Sequence, residues 1–301
     1  MTLVTCEYCK KPFPIYTNTC PHCGRPDLFP NVRIAELPEE STALERRYQQ
    51  ALADAASRGC AHVVADFEAA LGRSRAVIAC QSHVLERLAK SDYDIYATFD
   101  QQVDAEARIP SGERWDALRA SAESALFRFS KKHVRYAALT LNDLGVANWG
   151  ECFMFLDEEM IAHRASVLEE NCILFMKHHD VKFAEADLLP LGYRAPWKER
   201  AKVCIAKLAN RLEATTSPDS FPDILLQQGL TTADSRFVEI HIWGPISRHT
   251  LREVVILQQS RGRTLSGKYK TRLRAVPLKY RIFGSQLADA GVPLKALEIV
   301  K

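Results

Sequence analysis

The most informative stretch of the sequence is FVEIHIWGPIS, Phe237–Ser247. β-Branched and aromatic residues dominate it and a Gly-Pro pair follows, so it predicts a β-strand that ends at residue 244. Neighbouring residues of a strand point to opposite faces. One face then carries three β-branched residues, which we expect in the core: Val238, Ile240 and Ile242. The other face carries aromatic rings, an imidazole and a carboxylate: Phe237, Glu239, His241 and Trp243.

This second face places a glutamate in the middle of a strand that looks buried. We expect the face to form the wall of a cleft, where Glu239 meets solvent and the rings of His241 and Trp243 offer flat surfaces for stacking. The pattern alone leaves a second interpretation open, in which the polar side of an antiparallel sheet faces bulk water.

The composition of the chain limits the classes of protein to which it belongs. With 301 residues, 47% of them apolar, the chain is long enough for one large domain or two ordinary ones. The N-terminal MTLVTCEYCKK lacks the basic and apolar regions of a secretory signal. No window approaches the ~18 apolar residues of a membrane span. We therefore expect a soluble, cytoplasmic protein without a membrane partner.

Four cysteines near the N-terminus are spaced as two CxxC pairs that ten residues separate, in CEYCKKPFPIYTNTCPHCG. Each CxxC turn directs two thiolates at one point, and a hairpin between the pairs brings four sulfurs into the tetrahedron that Zn²⁺ accepts. Gly24 supplies the left-handed turn after the second pair. The spacing predicts a zinc ribbon with a structural ion and no open coordination position. Its four ligands are Cys6, Cys9, Cys20 and Cys23.

The segment after the ribbon predicts a linker and then helices. Residues 25–40 contain three prolines and predict a linker. Ser41 or Thr42 then caps a helix that Gly59 ends, and a second helix ends at Gly72. For residues 73–90 the periodicity permits either one helix or a strand followed by a helix.

The following part of the chain changes from helical to mixed character. Ser111 begins an amphipathic helix, whose apolar stripe consists of Trp115, Leu118, Ala122, Leu126 and Phe129. Residues 134–141 and 151–157 predict strands, and residues 197–214 predict a helix between them and the final strands. The whole pattern predicts an α+β protein.

Three of these stretches together resemble the ADP-ribosyltransferase superfamily, in a bacterial branch of toxin-like or effector-like members. VEIHIWGPISRHTLREVVIL is similar to the late strand that carries the family's catalytic glutamate, with a Gly or Pro break and another strand after it. VRYAALTL, the aromatic-Gly pair at residues 149–150 and the Arg-x-Ser of HRAS resemble the earlier motifs. The resemblance covers about residues 72–275, two thirds of the chain, and leaves the ribbon outside.

The resemblance implies a division of the chain and a set of site residues. It implies a zinc ribbon at residues 1–30, a linker and helical segment at 31–71, and a transferase domain with a split antiparallel sheet at 72–301. Glu239 then stabilises the oxocarbenium-like ribose of NAD⁺ as nicotinamide departs. The residues that would hold the dinucleotide are Arg75, Arg164, Ser166, His241 and Trp243. Phe237 stands where many protein-modifying members have a second glutamate, so the acceptor, a protein or a nucleic acid, stays open.

A basic segment supports a rival interpretation from another class. Between residues 248 and 281 ten residues are Lys or Arg, and one residue is acidic. Such segregation is typical of a surface that binds nucleic acid, and a solvated basic face is an equal alternative. The candidates for phosphate contact are Arg261, Arg263, Lys268 and Lys270. In this alternative the protein is a non-enzymatic nucleic-acid binder that uses the ribbon and the basic segment, and Glu239 is a surface residue. For the toxin-like interpretation, the ribbon is a candidate docking site for a partner protein or an antitoxin.

Overall fold

A computed structural model describes residues 3–26, 29–90, 93–97, 101, 114–181, 189–230, 234–257 and 280–283. They form an α+β structure with a small two-stranded unit that holds the N-terminal cysteines and a large, mostly antiparallel sheet that helices cover. No helix among these residues is both long enough and apolar enough to cross a bilayer.

The helices occur in three groups along the chain. Their bounds are α1 Pro30–Ala35, α2 Pro38–Ser57, α3 Ala61–Leu71, α4 Ser82–Lys90, α5 Arg114–Phe127, α6 Glu158–Ile161, α7 Cys172–His178, α8 Arg200–Leu208 and α9 Phe221–Leu225. Turns of 3₁₀-helix extend several of them, including Arg128–His133 after α5 and Trp197–Glu199 before α8.

The strands form one small ribbon, one large sheet and one short hairpin. Their bounds are β1 Leu3–Thr5, β2 Pro12–Pro14, β3 Arg75–Cys80, β4 Val134–Thr140, β5 Cys152–Leu156, β6 Ala165–Leu168, β7 Arg194–Pro196, β8 Leu226–Gln227, β9 Arg236–Phe237, β10 Glu239–Trp243, β11 Leu251–Leu257 and β12 Tyr280–Phe283.

The large sheet has eight strands in the order β12-β11-β5-β3-β4-β10-β6-β7. Every neighbouring pair is antiparallel except β11 with β12. β10 lies inside the sheet, and Glu239 is directly opposite Ala138 of β4 and Leu168 of β6. The predicted strand at residues 237–243 is therefore confirmed as a paired inner strand over Glu239–Trp243, although a break at Val238 leaves its first residue, Phe237, in β9.

The main core lies on one face of this sheet. Val238, Ile240 and Ile242 point into it, as predicted, and α2, α3, α8 and α9 supply the opposing side chains. Phe67 of α3 and Phe221 of α9 pack with their rings tilted at 60° and 5.0 Å between ring centroids in this core. The helical segment that follows the ribbon therefore buries its apolar face against the large sheet.

Two predictions about the start of the helical segment are wrong. Residues 30–35 of the predicted linker form α1, all of whose residues are buried. α2 begins at Pro38, and Leu37, not Ser41 or Thr42, precedes its first residue. Proline at the first helical position with Glu39 and Glu40 in the first turn is a favourable start, because proline needs no amide partner there and carboxylates complement the helix dipole.

Other predictions about the elements are confirmed. Gly59 has a φ of 71° directly after α2, and α3 ends before Gly72. Residues 73–90 form a strand and then a helix, β3 and α4. In α5 Ala122 and Leu126 are buried as their stripe predicts, whereas Ser111 lies outside the described residues. The helix predicted at 197–214 is shorter, since α8 ends at Leu208.

Candidate functional site

The four N-terminal cysteines converge on one point. Their sulfur atoms all lie within 4.8 Å of one another. The Sγ atoms of Cys6 and Cys23 are 3.8 Å apart, and those of Cys9 and Cys20 are 3.6 Å apart. A tetrahedral ion with metal–sulfur bonds of about 2.3 Å requires sulfur–sulfur separations of about 3.8 Å. The four side chains are therefore positioned to hold one metal ion.

Two similar turns create this arrangement. After each CxxC pair one residue adopts a left-handed conformation, Lys10 with a φ of 60° and Gly24 with a φ of 68°. The amide of each donates to the carbonyl of the first cysteine, at 3.0 Å for Cys6 and 2.9 Å for Cys20. Although desolvation opposes it, backbone hydrogen bonds from His22 and Cys23 lower the pKa of the Cys20 thiol to about 6, which favours the thiolate that metals bind.

The unit that the cysteines close is attached to the large sheet through α1. Arg33 donates from Nη1 to the carbonyls of Ile15 and Thr17, both at 2.9 Å, and its guanidinium lies 4.8 Å from the Phe13 ring. Two residues earlier, Asn31 Nδ2 donates to the His241 carbonyl at 2.9 Å. One short helix therefore contacts both the cysteine unit and strand β10.

The second face of β10 is buried, and the expectation of a solvent-exposed cleft wall is wrong. Glu239 is 1% exposed, His241 3% and Trp243 5%. Helices α5 and α7 pack on this part of the sheet, and Phe127 at the end of α5 meets the His241 ring edge-on at 4.8 Å. The alternative of a surface strand facing water is excluded by the same burial.

The Glu239 carboxylate is held by three hydrogen bonds. Asn171 Nδ2 lies 2.9 Å from Oε2, the Cys172 amide 3.2 Å from Oε1, and His241 Nε2 2.9 Å from Oε1. With an ionised carboxylate as the acceptor, all three groups donate, so the His241 proton is on Nε2. Asn171 and Cys172 stand where the chain leaves β6 and enters α7, and this junction therefore orients the carboxylate.

Glu239 differs from every other buried carboxylate among the residues described. Each of the others has an Arg or Lys partner within salt-bridge distance. The pairs are Glu40 with Arg194, Glu123 with Arg119, Glu169 with Arg47 and Glu170 with Lys207. The described partners of Glu239 are the Asn171 side-chain amide, the backbone amide and thiol of Cys172, and the His241 imidazole, which forms an ion pair only when it is protonated. Burial of a carboxylate without a fixed cation is costly, and proteins retain such groups mainly at functional sites.

Tyr136 is a neighbour that the sequence interpretation missed. It lies directly opposite His241 in β4, with 5.3 Å between ring centroids. Its hydroxyl is buried and has no hydrogen-bond partner among the described residues. Burial, and then the nearby Glu123 carboxylate, raise the pKa of Tyr136 well above its usual value, so the hydroxyl keeps its proton. A buried hydroxyl without a partner is unfavourable, and a water or a ligand atom would satisfy it.

Arg75 stands on the same face of the sheet as Glu239. Val77 of β3 pairs with Ala138 of β4, which in turn pairs with Glu239. Arg75 is two residues before Val77, so it lies two strands from Glu239 and one pleat repeat further along the sheet. This separation corresponds to about 12 Å between the Cα atoms of Arg75 and Glu239. Its guanidinium already pairs with Glu253 at 2.5 Å and Asp143 at 2.9 Å.

Arg164 and Ser166 have local roles in the described structure. Arg164 donates from Nε to the Met160 carbonyl at 2.9 Å and from Nη1 to the Trp243 and Pro245 carbonyls. Burial lowers the pKa of its guanidinium. Ser166 lies opposite His241, and its hydroxyl is 3.3 Å from Asn31 Nδ2. Their assignment to dinucleotide binding stays a prediction.

Trp243 is packed by neighbours on this face. Its ring stacks on His133 at 5.1 Å and 23°. The nucleic-acid candidates Arg261, Arg263, Lys268 and Lys270 lie outside the described residues.

A charged cluster adjoins the Glu239 site beyond Asn171. Glu169, Glu170 and His179 offer ligand atoms within 4.8 Å of one another. Arg47 donates to Glu169 at 2.7 Å, and Lys207, whose pKa burial lowers, lies 3.6 Å from Glu170. The two carboxylates are thus neutralised by side chains, as expected for an ion-pair network that stabilises the β6–α7 connection.

Comparison with known proteins leaves the site to be interpreted from its own geometry. No protein-family model and no curated protein matches the sequence.

Proposed function

We propose that the protein is an NAD⁺-dependent ADP-ribosyltransferase that acts as a bacterial toxin or effector, in which Glu239 is the catalytic carboxylate. The observation that carries the proposal is the burial of Glu239 without an Arg or Lys partner among the described residues. A carboxylate oriented by dipoles and left without a fixed cation is suited to stabilise a positive charge that develops only during a reaction.

The reaction replaces one bond at C1′ of the nicotinamide ribose by another. The C1′–N bond breaks, and nicotinamide leaves with the bonding electron pair. The acceptor's nucleophile forms the new bond to C1′ and releases a proton. In the transition state the ribose carries positive charge, which the Glu239 carboxylate stabilises through the 2′-hydroxyl or directly.

Tyr136 and Arg75 support a substrate site on this face. The Tyr136 hydroxyl is available to a ligand that reaches Glu239. Arg75, at the far end of the same face, is the candidate for the phosphates, and Arg164, Ser166, His241 and Trp243 would complete the site. Because Glu239 is 1% exposed, the proposal requires that the side chains packed on this face move before substrate reaches the carboxylate.

We also propose that the ion of the cysteine site is zinc. Four thiolates with sulfur separations of 3.6 and 3.8 Å suit a tetrahedral, closed and therefore structural Zn²⁺ site. The His22 ring nitrogen lies 3.0 Å from the Pro12 carbonyl and supplies no fifth ligand. Zinc here would stabilise the fold of the unit and take no part in transfer.

Turnover of labelled NAD⁺ tests the proposed activity. Purified protein is incubated with NAD⁺ labelled in the adenylate phosphate, alone and with cell lysate, DNA or RNA, and transfer is followed with nicotinamide release. We expect label on one acceptor class and loss of both signals in Glu239→Gln. Glu68→Gln is the matched control. Glu68 lies in α3, which packs on the opposite face of the large sheet, and its carboxylate accepts from the Tyr48 hydroxyl at 2.8 Å. No turnover with any acceptor would contradict the proposal.

A second candidate is a non-enzymatic nucleic-acid binder, and one surface feature favours it. Tyr8 is 56% exposed in the cysteine unit, and the Arg25 guanidinium lies 4.9 Å from its ring centroid. Exposed aromatic and cationic groups together are typical of surfaces on which bases stack. Salt-sensitive binding of single-stranded DNA or RNA that Tyr8→Ala and Arg25→Ala weaken, without NAD⁺ turnover, would favour this function.

A further inference from the structure

The side chain of Asn171 makes two different bonds at the junction of β6 and α7. Its Oδ1 accepts from the Ile173 amide at 3.1 Å and so caps the helix. Its Nδ2 donates to Glu239 Oε2 at 2.9 Å. The side chain is 7% exposed and therefore shielded from competing water. One amide thus fixes its own orientation through the helix and presents a donor to the carboxylate.

From this arrangement we infer that Asn171 is the positioning residue for Glu239, an inference that rests on the proposed function. Its capping bond settles which end of the amide faces the carboxylate, because Oδ1 is already engaged with the helix. The two oxygens of Glu239 are then bound separately, Oε2 by Asn171 and Oε1 by Cys172 and His241. Loss of the Asn171 donor removes the bond to Oε2, and the carboxylate is then oriented by Cys172 and His241 alone.

The capping and positioning roles of Asn171 can be separated by substitution. Serine and aspartate both cap helices well, so Asn171→Ser and Asn171→Asp retain the start of α7. Serine removes the donor to Oε2. Aspartate replaces the donor by a second carboxylate beside Glu239, and two carboxylates so close compete for one proton. Asp157→Ser is the matched control, because Asp157 caps α6 by accepting from the Glu159 amide at 3.1 Å and does not contact Glu239.

Kinetics of NAD⁺ turnover distinguish a positioning role from a structural one. For Asn171→Ser we expect kcat to fall by roughly ten- to hundredfold, the loss of one hydrogen bond to a charged group. KM for NAD⁺ should change less than threefold or so, because the bond acts on the transition state. In Asn171→Asp the acid limb of the pH–rate profile should move to higher pH. Melting curves close to those of the wild type would show that both variants are folded.

Each further outcome supports or overturns the inference. Folded variants with unchanged kcat and pH profile would overturn it, as would an equal loss in Asp157→Ser. If the wild type does not turn over NAD⁺, the proposed function fails. A crystal structure of Asn171→Ser then tests whether Asn171 positions the Glu239 carboxylate. A rotated Glu239 carboxylate would support the positioning role, and an unmoved one would overturn it.

Discussion

Removal of the metal ion should destabilise the large domain through Arg33. Among the described residues, the cysteine unit's own core cluster consists of Cys6, Phe13 and Cys20. A core of this size does not fold without its ion. Chelation therefore unfolds the unit and removes the carbonyl partners of Arg33, those of Ile15 and Thr17. The α/β core should remain folded but melt at a lower temperature.

The expected loss of stability follows from the two charge-assisted hydrogen bonds that Arg33 donates to the cysteine unit. Each contributes about 1.5 kcal/mol at the lower end of its range, so the domain loses roughly 3 kcal/mol of unfolding free energy. For a domain of roughly 150–250 residues this lowers Tm by about 6–12 °C. A chromogenic chelator measures release of the metal ion. Differential scanning calorimetry with and without chelator measures the change in Tm of the α/β core.

A mutant cycle separates the coupling of the cysteine unit to the α/β core from a general effect of the chelator on stability. In Arg33→Met the two bonds are absent from the start, so chelation should lower the core Tm by much less than in the wild type. Arg25→Met is the control, since the Arg25 side chain contacts Tyr8 within the unit itself. Equal Tm shifts in the wild type and Arg33→Met would refute this coupling.

Three further predictions concern stability. Glu40→Gln should cost about 3–5 kcal/mol in urea unfolding, because it breaks the buried pair with Arg194, whereas Glu36→Gln in the exposed pair with Lys198 should cost under about 1 kcal/mol; equal costs would contradict this. Gly150→Ala should destabilise by more than Gly59→Ala, which costs about 1–2 kcal/mol, because a Cβ at Gly150 would lie 2.2 Å from the Cys80 backbone and one at Gly59 meets nothing within 4 Å. The metal should be released as the pH falls, since protons compete for the four thiolates, and metal retained in mild acid after dialysis would contradict thiolate ligation.

The sequence predicts the parts of this structure that local rules determine. The CxxC spacing identifies four cysteines that converge, because metal ligation imposes a short and specific pattern. The alternation in β10 identifies which residues face the main core. Gly59 marks the end of α2 because its left-handed conformation disfavours other residues.

The features that sequence reasoning missed depend on contacts distant in the chain. The burial of Glu239 results from α5 and α7 packing on its face, and no pattern within residues 237–247 contains that information. Asn171 carried a usable signal, because an asparagine before the apolar run CILFM predicts a helix cap. Its bond to Glu239 joins positions 68 residues apart, however, and only the sheet order brings them together.

The most direct test of the central claim is the rate of NAD⁺ cleavage by Glu239→Gln relative to wild type under single-turnover conditions. Glutamine retains the shape and a hydrogen-bond acceptor but removes the charge that meets the developing cation. We expect a rate lower by on the order of 10²–10³ with NAD⁺ affinity nearly unchanged. The variant should be folded at the assay temperature, although its Tm falls because the glutamine NH₂ meets a hydrogen-bond donor. A folded Glu239→Gln protein that cleaves NAD⁺ as fast as the wild type would contradict the account.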